Sequence, residues 1–165
     1  MGLFSFFNEP EILYFPGCNA YYKNKWNFEL YKKIFSKLGI DVKTIEKNNC
    51  CGLKALEFGY ESEARKLARK NLDIFKEQNI KKIITACPGC YKMLLEYKEI
   101  LPDWNIEIKN IWKLILENLA EKPKLIKNKT EKAIAYQDSC YLGRYCNIYD
   151  EPRHILELIG YIVQE

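Results

Sequence analysis

The sequence predicts an α/β fold: an open, mainly parallel sheet with helices on both faces and cysteines at the C-terminal edge of its strands. Two observations predict the architecture. Short β-like runs alternate with stretches in which apolar residues recur at helical spacing. Strands separated by helices are joined by crossovers that leave neighbouring strands parallel and both faces covered. A third observation predicts the edge. Cys18 follows the first β-like run, Cys50 and Cys51 the second, Cys87 the third and Cys140 a later one. In a parallel sheet the strand C-termini share one side, where ligand crevices form at a switch in strand order.

Residues 12–15, Ile-Leu-Tyr-Phe, read as the first strand. Trp26, Leu30, Tyr31, Ile34, Phe35 and Leu38 then recur at helical spacing, and Gly39 supplies a C-terminal stop. A second strand is expected over 40–45. After a turn at Cys50, Cys51 and Gly52, the residues Ala64, Leu67, Ala68, Leu72 and Phe75 form one face of a second helix, followed by a strand over 82–86. Cys87 to Cys90 open the next helix. A weaker strand over 106–108 leads to a helix with Asn110 as N-cap and Ile111, Leu114, Ile115 and Leu119 on its inner face, bounded by Pro123. A strand over 133–136 precedes Cys140. Pro152 sits in a first helical turn, which tolerates proline, and the pattern runs through Ile155, Leu156 and Ile159 to Gly160. A last strand is read over 161–163.

A chain of 165 residues suits one domain and buries roughly 70% of the surface its unfolded form exposes, so it needs neither disulfides nor zinc merely to hold together. With 48% hydrophobic, 14% aromatic and 29% charged residues the composition is that of an ordered globular protein. The net charge of +4 is mild and the lysines are scattered along helical faces, which argues against nucleic acid or an anionic membrane as partner. No segment approaches the roughly 18 apolar residues of a membrane span, and no export signal precedes the first strand. The expected location is the cytoplasm, with any membrane association made through a partner subunit. The apolar opening Met1 to Phe7 fails the myristoylation pattern at Phe6 and is expected to pack on the domain or on a partner.

The cysteines therefore call for a chemical explanation. Five of seven form one pattern: Cys18, thirty-one residues, the adjacent Cys50 and Cys51, thirty-five residues, then Cys87-Pro88-Gly89-Cys90. That is more thiolates than one tetrahedral ion uses, and it leans toward a multi-metal cluster. In a reducing compartment an odd cysteine count argues for metal or redox use over a disulfide framework. Gly17, Gly52 and Gly89 allow close backbone approach, so that amide N–H groups can face concentrated negative charge. Cys87 and Cys90 stand about one turn apart at a helix N-terminus, where the dipole lowers thiol pKa. Adjacent Cys50 and Cys51 would close only a strained disulfide ring, yet in a tight turn they can reach two neighbouring metals.

Two plainer readings compete. A CxxC that opens a helix is compatible with a thioredoxin-like dithiol, which needs none of Cys18, Cys50 or Cys51. A single zinc held by four cysteines, in a binding or assembly module without redox activity, leaves a fifth cysteine over. Cys146 reads as a buried, inert cysteine. His154, the one histidine, reads as a partly exposed surface residue, and Lys54 and Lys92 as solvated side chains close in sequence to the thiols.

Phe15-Pro16-Gly17-Cys18, Asn49-Cys50-Cys51-Gly52 and Ala86-Cys87-Pro88-Gly89-Cys90 together resemble the CCG-type cysteine-rich domain of the heterodisulfide reductase catalytic subunit. The same domain occurs in iron-sulfur subunits of glycolate, lactate and glycerol-3-phosphate oxidising systems. The resemblance implies one non-cubane [4Fe-4S] cluster held by Cys18, Cys50, Cys51, Cys87 and Cys90, and a disulfide-reductase-like oxidoreductase subunit or electron-transfer component. Its substrate would be a small disulfide or thiol. With no GxGxxG and no Walker A sequence, an electron-donating flavin or iron-sulfur subunit is needed as partner. Residues 136–144, with Cys140 at their centre and Glu151-Pro152-Arg153 after them, resemble the opening of a second motif copy, with Gln137, Ser139 and Tyr141 where the family commonly has histidine and proline. No second CCG or CxxC occurs before Glu165. The expectation is thus an N-terminal extension over 1–10 and a single cysteine-rich domain over 11–165. In that domain Cys140 belongs to an incomplete second site, as in a truncated chain, a natural one-cluster form or half of a split protein.

Overall fold

The computed structural model describes residues 11–45, 50–127 and 129–164. The expected packing of the Met1 to Phe7 segment and the position of Asn49 lie outside these residues. Strand β1 (Glu11–Phe15) and helix α1 (Lys25–Leu38) are followed by a short helix α2 (Leu53–Glu57), a long helix α3 (Glu61–Glu77) and strand β2 (Ile80–Thr85). Helix α4 (Pro88–Ile100), strand β3 (Glu107–Asn110) and helix α5 (Ile111–Glu121) come next. The chain closes with β4 (Ala133–Ala135), α6 (Gly143–Cys146), α7 (Asp150–Leu158) and β5 (Ile162–Gln164).

Strands β1, β2 and β3 form a parallel sheet in that order, with Tyr14 opposite Ile84 and Thr85 opposite Asn110. Side-chain alternation along β1 divides the core in two. Leu13 and Phe15 join Ala64, Ala68, Leu72 and Phe75 of α3 and Met93, Leu94 and Tyr97 of α4 on one face. Tyr14 joins Phe35 and Leu38 of α1, Ile111, Leu114 and Ile115 of α5, and Ile155 of α7 on the other. Helices cover both faces of an open parallel sheet, the expected fold class.

Three expectations need correction. The strand expected over 40–45 is reduced to one bridge, in which Lys43 N–H donates to the Ile12 carbonyl and Tyr14 N–H to the Lys43 carbonyl, both at 2.8 Å. Charged Asp41 and Lys43 alternate with Ile40 and Val42 there, and Lys43 pairs with Glu11, so the segment behaves as a short, charged sheet edge. The last strands do not extend the main sheet. β4 and β5 pair in parallel with each other, and their outward residues bury too little apolar surface to continue it. On α1, Trp26 and Leu30 face outward at 71% and 38% exposure. The stripe that packs on Tyr14 is Phe28, Tyr31 and Phe35, with ring centroids 5.0–6.1 Å away.

The strand order creates a switch. From β1 the chain runs through α1 to Lys43 on one side of β1, then through α2 and α3 to β2 on the other. The C-terminal ends of β1 and β2 thus adjoin while their onward connections diverge, the arrangement that opens a crevice in α/β sheets. Among the described residues, no helix is long and apolar enough to cross a membrane.

Burial sets the energetic hierarchy. Phe75, fully buried between the sheet and Trp104, is expected to cost about 3–5 kcal/mol on truncation to alanine, whereas Trp26→Ala changes stability by no more than about 0.5 kcal/mol. Urea unfolding followed by circular dichroism checks the pair, and equal losses would contradict this division of α1 and α3.

Candidate metal centre

Each thiol of the five-cysteine pattern is placed by a different local device. β1 ends at Phe15, and Gly17 turns the chain at φ +81°, in the left-handed region. A Cβ at Gly17 would lie 2.8 Å from Cys87 Cβ and 3.2 Å from the Sγ atoms of both Cys87 and Cys90. Only a residue without a side chain lets this backbone press against that pair. Cys18 follows, exposed, at the start of a π-helical turn over Asn19–Lys23.

Cys87 is the N-cap of α4, with Pro88 at the first helical position. Its backbone N–H donates to the hydroxyl of Thr85 at 3.2 Å, and its Sγ accepts from Cys90 N–H at 3.5 Å. A cysteine here does what serine or aspartate usually does at a helix N-cap. Cys90, 3% exposed, sits one turn in.

Cys50 and Cys51 lie in the turn before α2, and Gly52, at φ +89°, follows them as the N-cap of that helix. Gly52 N–H donates to Cys50 Sγ at 3.4 Å. Cys50 is exposed and Cys51 buried at 6%. Behind the turn, Asn71 Nδ2 donates to the Cys50 carbonyl at 3.0 Å and to the Tyr97 hydroxyl at 2.8 Å, and that hydroxyl donates to the Cys51 carbonyl at 2.8 Å.

The three loops converge. Cys51 is hydrogen-bonded to Cys50 and to Cys90, Cys90 to Cys87, and Cys18 lies near enough for its charge to act on Cys50. Five sulfurs thus form one row from Cys18 and Cys50 at the surface to Cys51, Cys90 and Cys87 within. The protons are unevenly held. Hydrogen bonds from Cys50 and Cys90, outweighing burial and aided by the Leu53 N–H, pull the Cys51 thiol down to about 3. The Cys90 hydrogen bond and neighbouring amides pull Cys87 to about 7. Cys50 is pushed up, first because it donates to Cys51 and then by burial, and Cys90 is pushed well up by donating to Cys51 and Cys87. Hydrogen bonding thus favours the thiolate at Cys51 and Cys87 and the thiol at Cys50 and Cys90, and binding of a cation would displace the remaining protons.

The donor set fits an iron-sulfur cluster. All five donors are sulfur, and backbone N–H groups of Gly52 and Cys90 point at Cys50 and Cys87, the hydrogen bonding that supports clustered thiolates. Among the described residues, no group of three or more His, Cys, Asp or Glu side chains is arranged to hold one metal ion.

Other residues singled out by sequence fall elsewhere. Cys140 is exposed on an open cavity of about 810 Å³ that it shares with Gln137, Ser139, Arg144 and Arg153, and none of the five thiols lines that cavity. Its neighbour Tyr141 does reach the site, packing beside Gly89 and donating to Glu57 at 2.9 Å. Cys146 is half-buried against Tyr91, Leu142 and Ile148, and burial pushes its thiol up. His154 is exposed. Lys54 pairs with Glu57 at 2.8 Å and meets the Tyr141 hydroxyl at 3.1 Å. Lys92 pairs with Glu96 at 2.7 Å and lies over the Tyr145 ring. Both lysines therefore brace the Tyr141–Tyr145 segment. Sequence reading missed Thr85, Asn71 and Tyr97. Asn71 did leave a signal, as a polar residue seven positions after Ala64 on the apolar stripe of α3.

Gly17 permits a controlled test. Gly39 has a similar φ of +74°, but nothing lies within 4 Å of a Cβ there. Gly17→Ala and Gly39→Ala should each cost about 1–2 kcal/mol in backbone strain, while only Gly17→Ala displaces Cys87 and Cys90 and lowers iron uptake on anaerobic reconstitution. Equal uptake by the two variants would remove the close-approach argument.

The family model of the CCG cysteine-rich domain matches residues 12–95. The chain is 29% identical over 159 residues to one of the subunits of the dihydromethanophenazine:CoB–CoM heterodisulfide reductase of Methanosarcina acetivorans, covering 92% of this chain and 39% of that one. It is 29% identical over 156 residues to the EtfAB:quinone oxidoreductase of Syntrophomonas wolfei, covering 92% and 22%. To the probable iron-sulfur-binding oxidoreductase FadF of Bacillus subtilis it is 31% identical over 158 residues, again covering 92% and 22%. The chain therefore spans about two fifths or less of the length of these relatives. No solved structure matches it.

Proposed function

Because the chain belongs to the CCG cysteine-rich domain family, we propose that it is an iron-sulfur redox component in which Cys18, Cys50, Cys51, Cys87 and Cys90 hold one non-cubane [4Fe-4S] cluster. The observation that carries the reading is the row itself: five thiols from three separate loops at the switch in strand order, four of them linked sulfur to sulfur and Cys18 beside Cys50. When bound, the cluster supplies one-electron steps and iron sites with affinity for sulfur.

The chain's own residues divide the remaining work. Buried Cys51 and Cys90, with half-buried Cys87 beside them, form the inner wall, where low exposure limits the access of water. The Gly52 and Cys90 N–H groups offset negative charge on the sulfurs, and Gly17 keeps the space between β1 and α4 free of side-chain atoms. Cys18 and Cys50 form the open side, the approach for a small disulfide or thiol and for an electron-donating flavin or iron-sulfur subunit. Cleaving a disulfide to two thiols takes two electrons, which come from that partner, and two protons, which come from water at the open side. Residues 11–165 act as one cysteine-rich unit in this reading.

Anaerobically reconstituted protein is expected to hold about four irons per chain, with Cys50→Ala and Cys87→Ala each losing most of the iron and the visible absorption. Stoichiometric zinc with no iron uptake would replace this reading with a structural zinc module. Because most contacts of the two core faces join apolar residues of the sheet and helices, with Cys51, Leu53, Cys87 and Cys90 only at the margin of one of them, chelation should leave far-UV circular dichroism nearly unchanged while the amides of residues 17–18 and 50–52 lose hydrogen-exchange protection. Global unfolding on chelation would show that the fold depends on the metal.

A further inference from the structure

The turn that carries Cys50 and Cys51 is held from behind by two side chains outside the ligand set. Asn71, 1% exposed on α3, uses both amide hydrogens, one on the Cys50 carbonyl and one on the Tyr97 hydroxyl. Tyr97, fully buried on α4, passes its own hydrogen to the Cys51 carbonyl. One amide and one hydroxyl, from two helices, grip two successive carbonyls. The Asn71 Oδ1 has no partner among the described residues, so its burial is compensated through Nδ2 alone. An apolar side chain on this stripe would serve the core better, for a buried acceptor without a donor is costly.

What the asparagine serves is the orientation of the turn. A fixed carbonyl fixes its peptide plane, and the two fixed planes flank Cys51, so they set the direction of its side chain and hold one side of Cys50. Gly52 follows at φ +89°, and as glycine it cannot supply that rigidity itself. The outcome is a division between neighbours, with Cys50 exposed and Cys51 buried against Cys90.

We propose that Asn71 and Tyr97 are the positioning residues of the Cys50–Cys51 turn, clamping both carbonyls so that the adjacent thiols stay in contact while Cys50 faces the open side and Cys51 lies in the inner wall against Cys90. The clamp takes its purpose from the cluster reading above, but its hydrogen bonds join protein atoms alone and can be tested without the cluster. Asn71→Leu removes both donors at similar volume, and Tyr97→Phe removes only the hydroxyl. Phe35→Leu, in the opposite core, serves as a destabilised control. In reduced, metal-free protein, alkylation resolved by site should become about tenfold faster at Cys51 in both clamp variants, as expected for the loss of a hydrogen bond, while Cys18 keeps its wild-type rate. Thermal midpoints of all four proteins show whether general destabilisation accounts for the change. A Cys51 rate in both clamp variants no faster than in Phe35→Leu overturns the proposal. In reconstituted protein the same variants should release iron to a chelator about 10–100-fold faster and show a shifted midpoint potential. If wild-type protein takes up no iron while Cys51 still becomes reactive in the variants, the cluster reading fails and the clamp stands. Normal iron uptake with unchanged reactivity and iron release in both variants overturns the clamp alone.

Discussion

The contact of the Gly17 backbone with Cys87 and Cys90 is the constraint from which the site is built. β1 and β2 are neighbours in a parallel sheet, so their C-terminal loops leave side by side, and whatever follows β1 must pass over the start of α4. A Cβ 2.8 Å from Cys87 Cβ would force the loops apart. Once glycine is there, Cys18 is carried past the CPGC turn, and the Cys50–Cys51 turn closes the row through Cys90. The order of strands, the left-handed turn and the meeting of sulfurs are one geometric fact at three scales.

The site also shows how a fold tolerates buried polar chemistry. Cys51 and Cys90 lie within the same apolar cluster as Leu72, Phe75 and Met93. Thiols are small and weakly polar, so in the neutral state they pack there as hydrophobes. Their hydrogen bonds to one another and to backbone N–H groups make the charged state accessible without importing a basic side chain. The lysines nearest in sequence point instead to Glu57 and Glu96 and to the rings of Tyr141 and Tyr145.

The layers of the fold and the five thiols were legible because each rests on a periodic or local signal. Helical recurrence located α3, α5 and α7, Pro123 bounded α5 and Gly160 bounded α7, and Cys18, Cys87 and Cys140 fell beyond strand ends. What was not legible depended on contacts between distant segments. The edge over 40–45 has β-like alternation, but only its neighbour β1 decides that a single bridge forms. Trp26 and Leu30 fit a helical stripe, yet they face outward, and the Tyr14 ring packs on Phe28 together with the expected Tyr31 and Phe35. Asn71 and Tyr97 are 26 residues apart, and nothing in either neighbourhood predicts that they meet behind a turn. The segment around Cys140 was read by likeness to the opening of a second motif copy; spatially it is tied to the site through Tyr141, not through its thiol.

The scattering of the ligands along the chain has a bearing on how the site would acquire its contents. Cys50 with Cys51, and Cys87 with Cys90, are local pairs that any stretch of unfolded chain presents, and such pairs bind soft cations before a fold exists. The full row exists only after β1 and β2 have paired, because Cys18 joins it through the sheet and not through nearness in sequence. In the proposed reading, pairing of β1 with β2 would complete the donor set, so that a multi-iron guest would find all five sulfurs only in the folded protein.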